Sequence, residues 1–263
     1  MTLLASPIPN RFRQALRARQ RLIGCWASLA SPVSTEVLGY AGFDWLLIDG
    51  EHAPNTLDSI MLQLMALKDS ASAAVVRPQC VDAVLIKRLL DLGVYNFLMP
   101  FVQSEAEASA AVAATRYPPR GIRGVAVAQR SNRYGAVPSY FEQVDDNISV
   151  LVQIESRAAV DAAAAIARVE GVDALFIGPS DLSASLGHFG KPGHPEVQEA
   201  MGHVLAAAKA AGKPVGILST VEADCRRYLE LGMTVVAVGL DVVLLRNASR
   251  DLRERFAPTA SGG

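Results

Sequence analysis

Glu155 and Asp181 follow two consecutive apolar runs, ISVLVQIE (148–155) and DALFIG (173–178), the second leading into PSDLSASLG. If the runs are neighbouring strands, the carboxylates come within reach of each other, because paired strands lie about 4.8 Å apart. Two anions so close repel and raise one pKa unless a cation sits between them. An all-oxygen pair with open positions suits Mg²⁺ or Mn²⁺, which bind through one or two carboxylates and keep waters or substrate oxygens. A structural reading competes: Ser180 or Asp181 caps the helix of SDLSASLG, and Glu155 pairs with Arg157 at the surface.

A second concentration of ionisable groups ends the run DWLLID (44–49) and continues as GEHAPN. His52 there is a candidate general base, Asp49 a support that orients it or its neighbours at the strand tip, and Glu51 a solvated companion. Arg77 closes AAVVR (73–77) just before Pro78. It serves either as a structural ion pair or as a clamp for an anionic substrate or a developing enolate. The remaining histidines are less suggestive. His203 lies in a helical pattern, and His188 and His194 fall in GHFGKPGHP, read as a solvated turn or a lid.

These residues need elements to place them. Apolar runs of strand length recur at 21–28, 44–49, 73–77, 95–100, 148–155, 173–178, 213–218 and 234–239. Most lack polar alternation, as strands buried on both faces of a parallel sheet do. Helical patterns separate them, several ending in glycine, as in DLG93 and ELG232. The expected fold is α/β, a (β/α)8 TIM barrel forming one domain over residues 1–263, with about 1–9 and 257–263 as flexible ends. A doubly wound sheet is the alternative, but no G-x-G-x-x-G follows the first strand. In such a barrel the active site gathers at the C-terminal strand ends. Those ends present Asp49, Glu51, His52, Arg77, Gln153, Glu155, Gly178, Ser180, Asp181 and Leu218. The segment 101–147, rich in Gly, Pro and Arg, interrupts the rhythm and is expected to serve function or assembly.

Composition narrows the partners. With 25 Lys and Arg against 26 Asp and Glu, net charge is −1. That argues against nucleic acid or an anionic membrane, which call for clustered cations. No apolar stretch reaches the roughly 20 residues of a membrane span, and the N-terminus lacks a signal-peptide core, so a cytoplasmic protein is expected. Cys25, Cys80 and Cys225 lack metal-ligand spacing, and the first and last read as reduced packing thiols. A mean hydropathy of +0.24 predicts apolar surface buried between subunits. Lysine occurs only at 68, 87, 191, 209 and 213. None lies where an imine-forming aldolase would need one, so Schiff-base chemistry is disfavoured.

FDWLLIDGEHAPN, VVRP, YPPRGIRGV, VLVQIE, VEGVDALFIGPSDLSASLG and HPEVQEAM together resemble, in order and spacing, the HpcH/HpaI aldolases, from about residue 10 to residue 256. The resemblance implies a phosphoenolpyruvate/pyruvate-type barrel and a class II pyruvate aldolase. Its cofactor would be a divalent ion, Mg²⁺, Mn²⁺ or Co²⁺, with no organic cofactor. Its reaction would be reversible cleavage of 4-hydroxy-2-oxo acids to pyruvate and an aldehyde. The nearest activity is 4-hydroxy-2-oxoheptanedioate cleavage, with succinate semialdehyde as the aldehyde and a place in aromatic catabolism. Carried over by position, Glu155 and Asp181 hold the metal, His52 is the base and Arg77 stabilises the transition state. Gln153, Gly178, Ser180, Asp181, Leu218 and Arg123 contact substrate. Asp91 would support His52 across a subunit contact; by itself it reads as a solvated helix-end carboxylate. The family pattern also implies a homohexamer, a trimer of dimers that exchange the last helix, here LDVVLLRNASRDLRERF. Position 180 is Ser where relatives often have Ala, and AVAQRSNRYGAVPSYFEQVDD follows the pattern loosely. Rivals are a 2-dehydro-3-deoxyglucarate-type sugar-acid aldolase, which shares nearly all these motifs, a CoA-thioester lyase, and phosphate binding at VGLD (238–241). A non-catalytic barrel is disfavoured by the intact chemistry at the strand tips.

Overall fold

Runs that are apolar at every position need cover on both faces, and here they find it in a barrel wrapped by helices. The computed structural model describes residues 9–257; the predicted flexible ends therefore lie outside the described residues but for Pro9 and Ala257. The strands are β1 (Leu22–Ala27), β2 (Trp45–Asp49), β3 (Ala73–Arg77) and β4 (Asn96–Met99). They continue as β5 (Ser149–Ile154), β6 (Ala174–Ile177), β7 (Val215–Leu218) and β8 (Val235–Leu240). All pair in parallel in sequence order, and β8 closes onto β1. Each matches one of the eight predicted runs within two residues.

The helices in chain order are α1 (Arg11–Arg17), α2 (Pro32–Gly39), α3 (Leu57–Ala66), α4 (Ala83–Asp91), α5 (Glu105–Ala114) and α6 (Tyr140–Gln143). After these come α7 (Arg157–Asp161), α8 (Ala163–Arg168), α9 (Pro179–Ser185), α10 (Pro195–Ala210), α11 (Glu222–Glu230) and α12 (Asp241–Glu254). Ser31, Thr56, Asp82, Ser104 and Ser156 each accept the amide N–H three residues on and so start α2, α3, α4, α5 and α7. Such a cap stabilises a helix start by about 1 kcal/mol.

The barrel interior is a column of Trp26, Trp45, Leu47, Val75, Leu98, Leu151, Phe176 and Val235. Gly24 makes room for it, since a Cβ there would lie 2.2 Å from the Trp45 ring. Helix α1, which the periodicity did not reveal, closes the N-terminal end with Phe12 and Leu16. Its N-cap is Asn10, whose side chain accepts from Arg13. The 101–147 segment starts at the catalytic end, where the Phe101 N–H reaches Glu155, and its later part packs against the opposite end of the barrel. Arg130 donates to Leu92 O at the end of α4, and Tyr95 donates to Ser131 O.

Helix α12 behaves differently from its neighbours. Only Asp241 in it is buried, while Val242, Leu244, Leu245 and Leu252 are exposed. These residues are one part of an exposed apolar surface that also includes Val33 and Val37 of α2 and Ile122, Val125 and Val127. Asp241 accepts the amides of Ser28, Leu29 and Val242. A carboxylate thus already fills the position where a phosphate at VGLD was considered. Cys25 and Cys225 are buried and free, and Cys80 is exposed. Among the described residues no helix is long and apolar enough to cross a membrane.

Candidate active site

The C-terminal ends of β2, β3, β5, β6 and β7 open into a cleft of about 670 Å³. Asp49, His52, Arg77, Gln153, Gly178, Ser180, Asp181 and Leu218 all line it. Strand register explains the central contact. Asp49 pairs directly with Arg77 across β2 and β3, so two side chains 28 positions apart meet at one level. Arg77 Nε lies 2.9 Å from Asp49 Oδ1 and Nη2 lies 2.7 Å from Oδ2. This is the fork geometry that makes arginine irreplaceable by lysine.

Both partners are nearly fully buried. Burial alone would push the Asp49 carboxyl upward, but the hydrogen bonds and charge of Arg77 outweigh it and hold Asp49 below the usual range. Burial likewise acts to lower the guanidinium, and Asp49 and Glu51 more than offset it. Arg77 is therefore a fixed cation. It reaches Glu51 Oε2 at 2.9 Å and Gln153 Oε1 at 3.5 Å, and lies over Trp26, 5.6 Å from the ring centroid.

The structure sharpens the role of Asp49, which orients the neighbours of the histidine ring, and revises that of Glu51. Asp49 does not touch the His52 ring; it accepts the backbone N–H groups of Glu51 and His52 and so shapes the turn. The carboxylate beside the ring is Glu51, with Oε2 3.9 Å from His52 Nε2. Glu51 is not simply solvated: its Oε2 is buried without a hydrogen bond despite the ion contact to Arg77. Burial first, and then the charges of Asp49 and Asp181, raise its pKa against the pull of Arg77 and His52. Three ionisable residues in four positions were a signal for this, but without the register nothing tells Asp49 from Glu51.

Glu155 sits behind the lining. Its Oε1 accepts the N–H of Phe101 at 2.8 Å, and its Oε2 accepts from Gln153 Nε2. Phe101 makes that contact with φ of 53°, a left-handed conformation that costs a non-glycine residue energy and clusters at functional sites. Burial, reinforced by the charges of Asp181 and Glu51, pushes the Glu155 carboxyl up to about 7. Gly178 is required opposite it, because a Cβ there would come 2.4 Å from Glu155 Oε2.

The structural alternatives for this pair fail. The N-cap of α9 is Gly178, without a side-chain cap, so neither Ser180 nor Asp181 performs that task. Arg157 pairs with Glu196 instead of Glu155. The site fits a divalent cation on three counts: a Glu155 carboxyl raised by burial and then by like charges, a buried Glu51 oxygen lacking a hydrogen bond, and Asp181 facing the same cleft.

Arg123 and Asp91 are not brought to this cleft. Arg123 is buried, stacks 4.4 Å from the Tyr117 centroid and bonds Asp91 at 3.0 Å. Asp91 ends α4, which runs from the tip of β3 back towards the start of β4, so it lies at the other end of the barrel from His52. Within one chain, neither the expected Arg123 contact with substrate nor an Asp91 support for His52 forms. No lysine lines the cleft, and Lys213 donates to Val172 O at the opposite rim. A cavity of 820 Å³ also opens at that rim; of its cations, Arg13 and Arg17 pair with Asp173 and Arg120 with Asp146.

Comparison with known proteins follows the same lines. The HpcH/HpaI aldolase/citrate lyase family profile matches residues 22–248. A 5-keto-4-deoxy-D-glucarate aldolase of Citrobacter koseri is 60% identical over 248 residues, covering 94% of this chain and 96% of its own. The Salmonella paratyphi A protein of the same name is 58% identical, covering 94% and 97%. Among solved structures, an HpcH/HpaI aldolase/citrate lyase family protein from Burkholderia cenocepacia superposes with a TM-score of 0.92 at 40% identity, covering 95% of this chain and all of that one. The Citrobacter and Salmonella relatives are both named for 5-keto-4-deoxy-D-glucarate. They do not support the seven-carbon heptanedioate first suggested by the motifs, nor its place in aromatic catabolism. The chain belongs to the HpcH/HpaI aldolase/citrate lyase family and is an aldolase, a carbon–carbon lyase.

Proposed function

We propose that the chain is a class II pyruvate aldolase whose substrate is 5-keto-4-deoxy-D-glucarate. Counted from the other carboxylate, this diacid is a 2-oxo-3-deoxy acid with a hydroxyl at C4, the grouping a retro-aldol reaction needs. Cleavage of C3–C4 would release pyruvate and 2-hydroxy-3-oxopropanoate. The observation that carries this reading is the alignment of Asp49, Arg77, Gln153 and Glu155 along one hydrogen-bonded row at the strand tips. Serine and threonine hydroxyls of Ser28, Ser180, Ser219 and Thr220 line the cleft and suit a hydroxylated chain better than methylenes.

Glu155 and Asp181 would hold a divalent ion, which when bound supplies Lewis-acid polarisation of the 2-oxo group. His52, exposed on the rim, takes the C4 hydroxyl proton. The electrons of the C3–C4 bond pass to the 2-oxo oxygen, and the fixed guanidinium of Arg77 stabilises the resulting enolate charge. Gln153, held between Arg77 and Glu155, orients the pyruvate portion. A proton returned to C3 completes the reaction. Arg77 is the one Lys or Arg lining the cleft among the described residues, which leaves a CoA-thioester lyase without a basic groove for its nucleotide.

Assembly completes this reading. Asp91 of a second copy would support His52, and α12 would lay its apolar stripe on a neighbouring barrel in a hexamer. The test of function is pyruvate release from 5-keto-4-deoxy-D-glucarate and from 4-hydroxy-2-oxoheptanedioate, each with Mg²⁺, Mn²⁺ and Co²⁺. A higher kcat/KM on the sugar diacid is expected. Preference for the heptanedioate overturns the substrate, and full activity in excess EDTA overturns the metal.

A further inference from the structure

His188 and His194 are not simply solvated. Helix α9, which carries Asp181, is joined to α10 by a loop with His188 near its start. His194 is the N-cap of α10, and Glu196 lies in its first turn. Among the described residues, these three side chains are the one group of three or more His, Cys, Asp or Glu whose candidate ligand atoms all lie within 4.8 Å of one another. His188 Nε2 is 2.8 Å from Glu196 Oε2. The two imidazoles stack with centroids 3.5 Å apart and 17° between their planes. The Glu196 N–H donates to His194 Nδ1 at 3.3 Å, leaving Nε2 of that ring unengaged. Hydrogen bonds from His188 and then Arg157 hold the Glu196 carboxyl below its ordinary range, so it offers an anionic oxygen.

We propose that His188, His194 and Glu196 form a second cation site, for a transition-metal ion such as Zn²⁺, Co²⁺ or Ni²⁺. Two imidazoles and one carboxylate are the donors these ions prefer, whereas the all-oxygen pair Glu155 and Asp181 suits Mg²⁺ or Mn²⁺. Zn²⁺ bonds of about 2.0–2.1 Å set ligand atoms roughly 3.3 Å apart, so binding requires the stacked imidazoles to rotate apart and the three side chains to draw in from within 4.8 Å. A helix cap needs only His194; the second imidazole, bonded to the same Glu196, completes a set of three donors at one point.

The position gives the site a consequence. Its ligands bracket residues 189–193, which include Phe189 at 86% exposure and Pro192, a wall of the catalytic cleft. Gly187 and Gly190 have φ of 81° and 72°, so the loop is built on turns that glycine permits. A bound ion ties the two ends of this loop together and fixes Pro192 against the cleft. Zn²⁺, Co²⁺ or Ni²⁺ added to activate the enzyme would therefore load two places, one of them structural.

The experiment is calorimetric titration of Zn²⁺ into the full chain, dialysed free of transition metals and held in saturating Mg²⁺. Wild type is compared with a Glu155→Gln/Asp181→Asn double variant, His194→Asn and His188→Ala. Asparagine keeps an N-cap acceptor while removing the imidazole. One Zn²⁺ per chain is expected in wild type and in the double variant. Each histidine variant should bind at least about 100-fold more weakly. In parallel, Zn²⁺ should slow chymotrypsin cleavage after Phe189 in wild type and not in His194→Asn, with circular dichroism confirming that each variant folds. Absence of Zn²⁺ binding in the double variant, or unchanged affinity in both histidine variants, overturns the proposal.

Discussion

Replacing Glu155 by Gln in metal-free protein should change the pH dependence of stability in a way that reports the burial of this carboxyl. The group has an ordinary pKa near 4.5 and is pushed up to about 7 in the fold, chiefly by burial. The folded chain therefore holds a proton that the unfolded chain releases between those values. Its contribution is favourable below pH 4.5 and is lost as pH rises through 7. The whole change is about 3 kcal/mol, since each pKa unit is worth about 1.4 kcal/mol. Glutamine keeps an acceptor for the Phe101 N–H but turns its amide towards the Gln153 donor. That mismatch costs about 1–3 kcal/mol at every pH and leaves the slope untouched. Urea unfolding in EDTA at pH 5, 6, 7 and 8 should thus show wild type losing stability relative to Glu155→Gln as pH rises. A difference independent of pH would refute the claim that Glu155 is buried without a sufficient counter-charge.

Arg77→Lys should reduce pyruvate release by about 100-fold or more, as for loss of a preorganised donor, and lower stability by about 3 kcal/mol by disrupting the buried pair with Asp49. Steady-state rates and thermal melts check both. Gly178→Ala places a Cβ 2.4 Å from Glu155 Oε2; Mg²⁺ or Mn²⁺ affinity measured by calorimetry should fall roughly 10–100-fold with secondary structure unchanged. Leu245→Asp with Leu252→Asp should reduce the assembly measured by light scattering, because these exposed residues form the apolar stripe of α12. Removing divalent metal should abolish calorimetrically detectable binding of pyruvate as well as turnover; pyruvate binding in EDTA equal to that with metal would contradict this.

The strands were legible because burial on both faces leaves an unbroken apolar run, a pattern few other elements produce. The tip residues followed from fold logic, and the cleft indeed gathers Asp49, His52, Arg77, Gln153, Gly178, Ser180, Asp181 and Leu218. What stayed hidden was pairing. Only register places Asp49 against Arg77, and from the sequence Asp49 looks like the partner of nearby His52. Direction along the barrel was the second gap. Asp91 and Arg123 carry suitable chemistry, but the return path of α4 takes Asp91 to the opposite end, where Arg123 from the segment after α5 pairs with it. Helix α1 escaped because seven residues give too few turns for a period to show. The meeting of His188, His194 and Glu196 depends on loop turns at Gly187 and Gly190, which sequence spacing does not encode.

The charges around the cleft bear on why a cation belongs in this reaction. Asp49, Glu51, Glu155 and Asp181 converge on a region in which Arg77 is the fixed cation, and Arg77 is already shared by Asp49 and Glu51. A diacid substrate would enter a site with surplus negative charge. Like charges 5 Å apart repel by about 3 kcal/mol at an effective dielectric near 20. Two such contacts would weaken binding by roughly four powers of ten, since 1.4 kcal/mol is tenfold. Protonation of Glu155 relieves part of this below pH 7, but a proton cannot attract the 2-oxo acid. In the proposed reading, a divalent ion held by Glu155 and Asp181 would reverse the sign locally while leaving Asp49 to lock Arg77. The same carboxylates that repel substrate in metal-free protein would then be what give the site its affinity. Metal dependence should therefore appear in substrate binding before it appears in the chemical step.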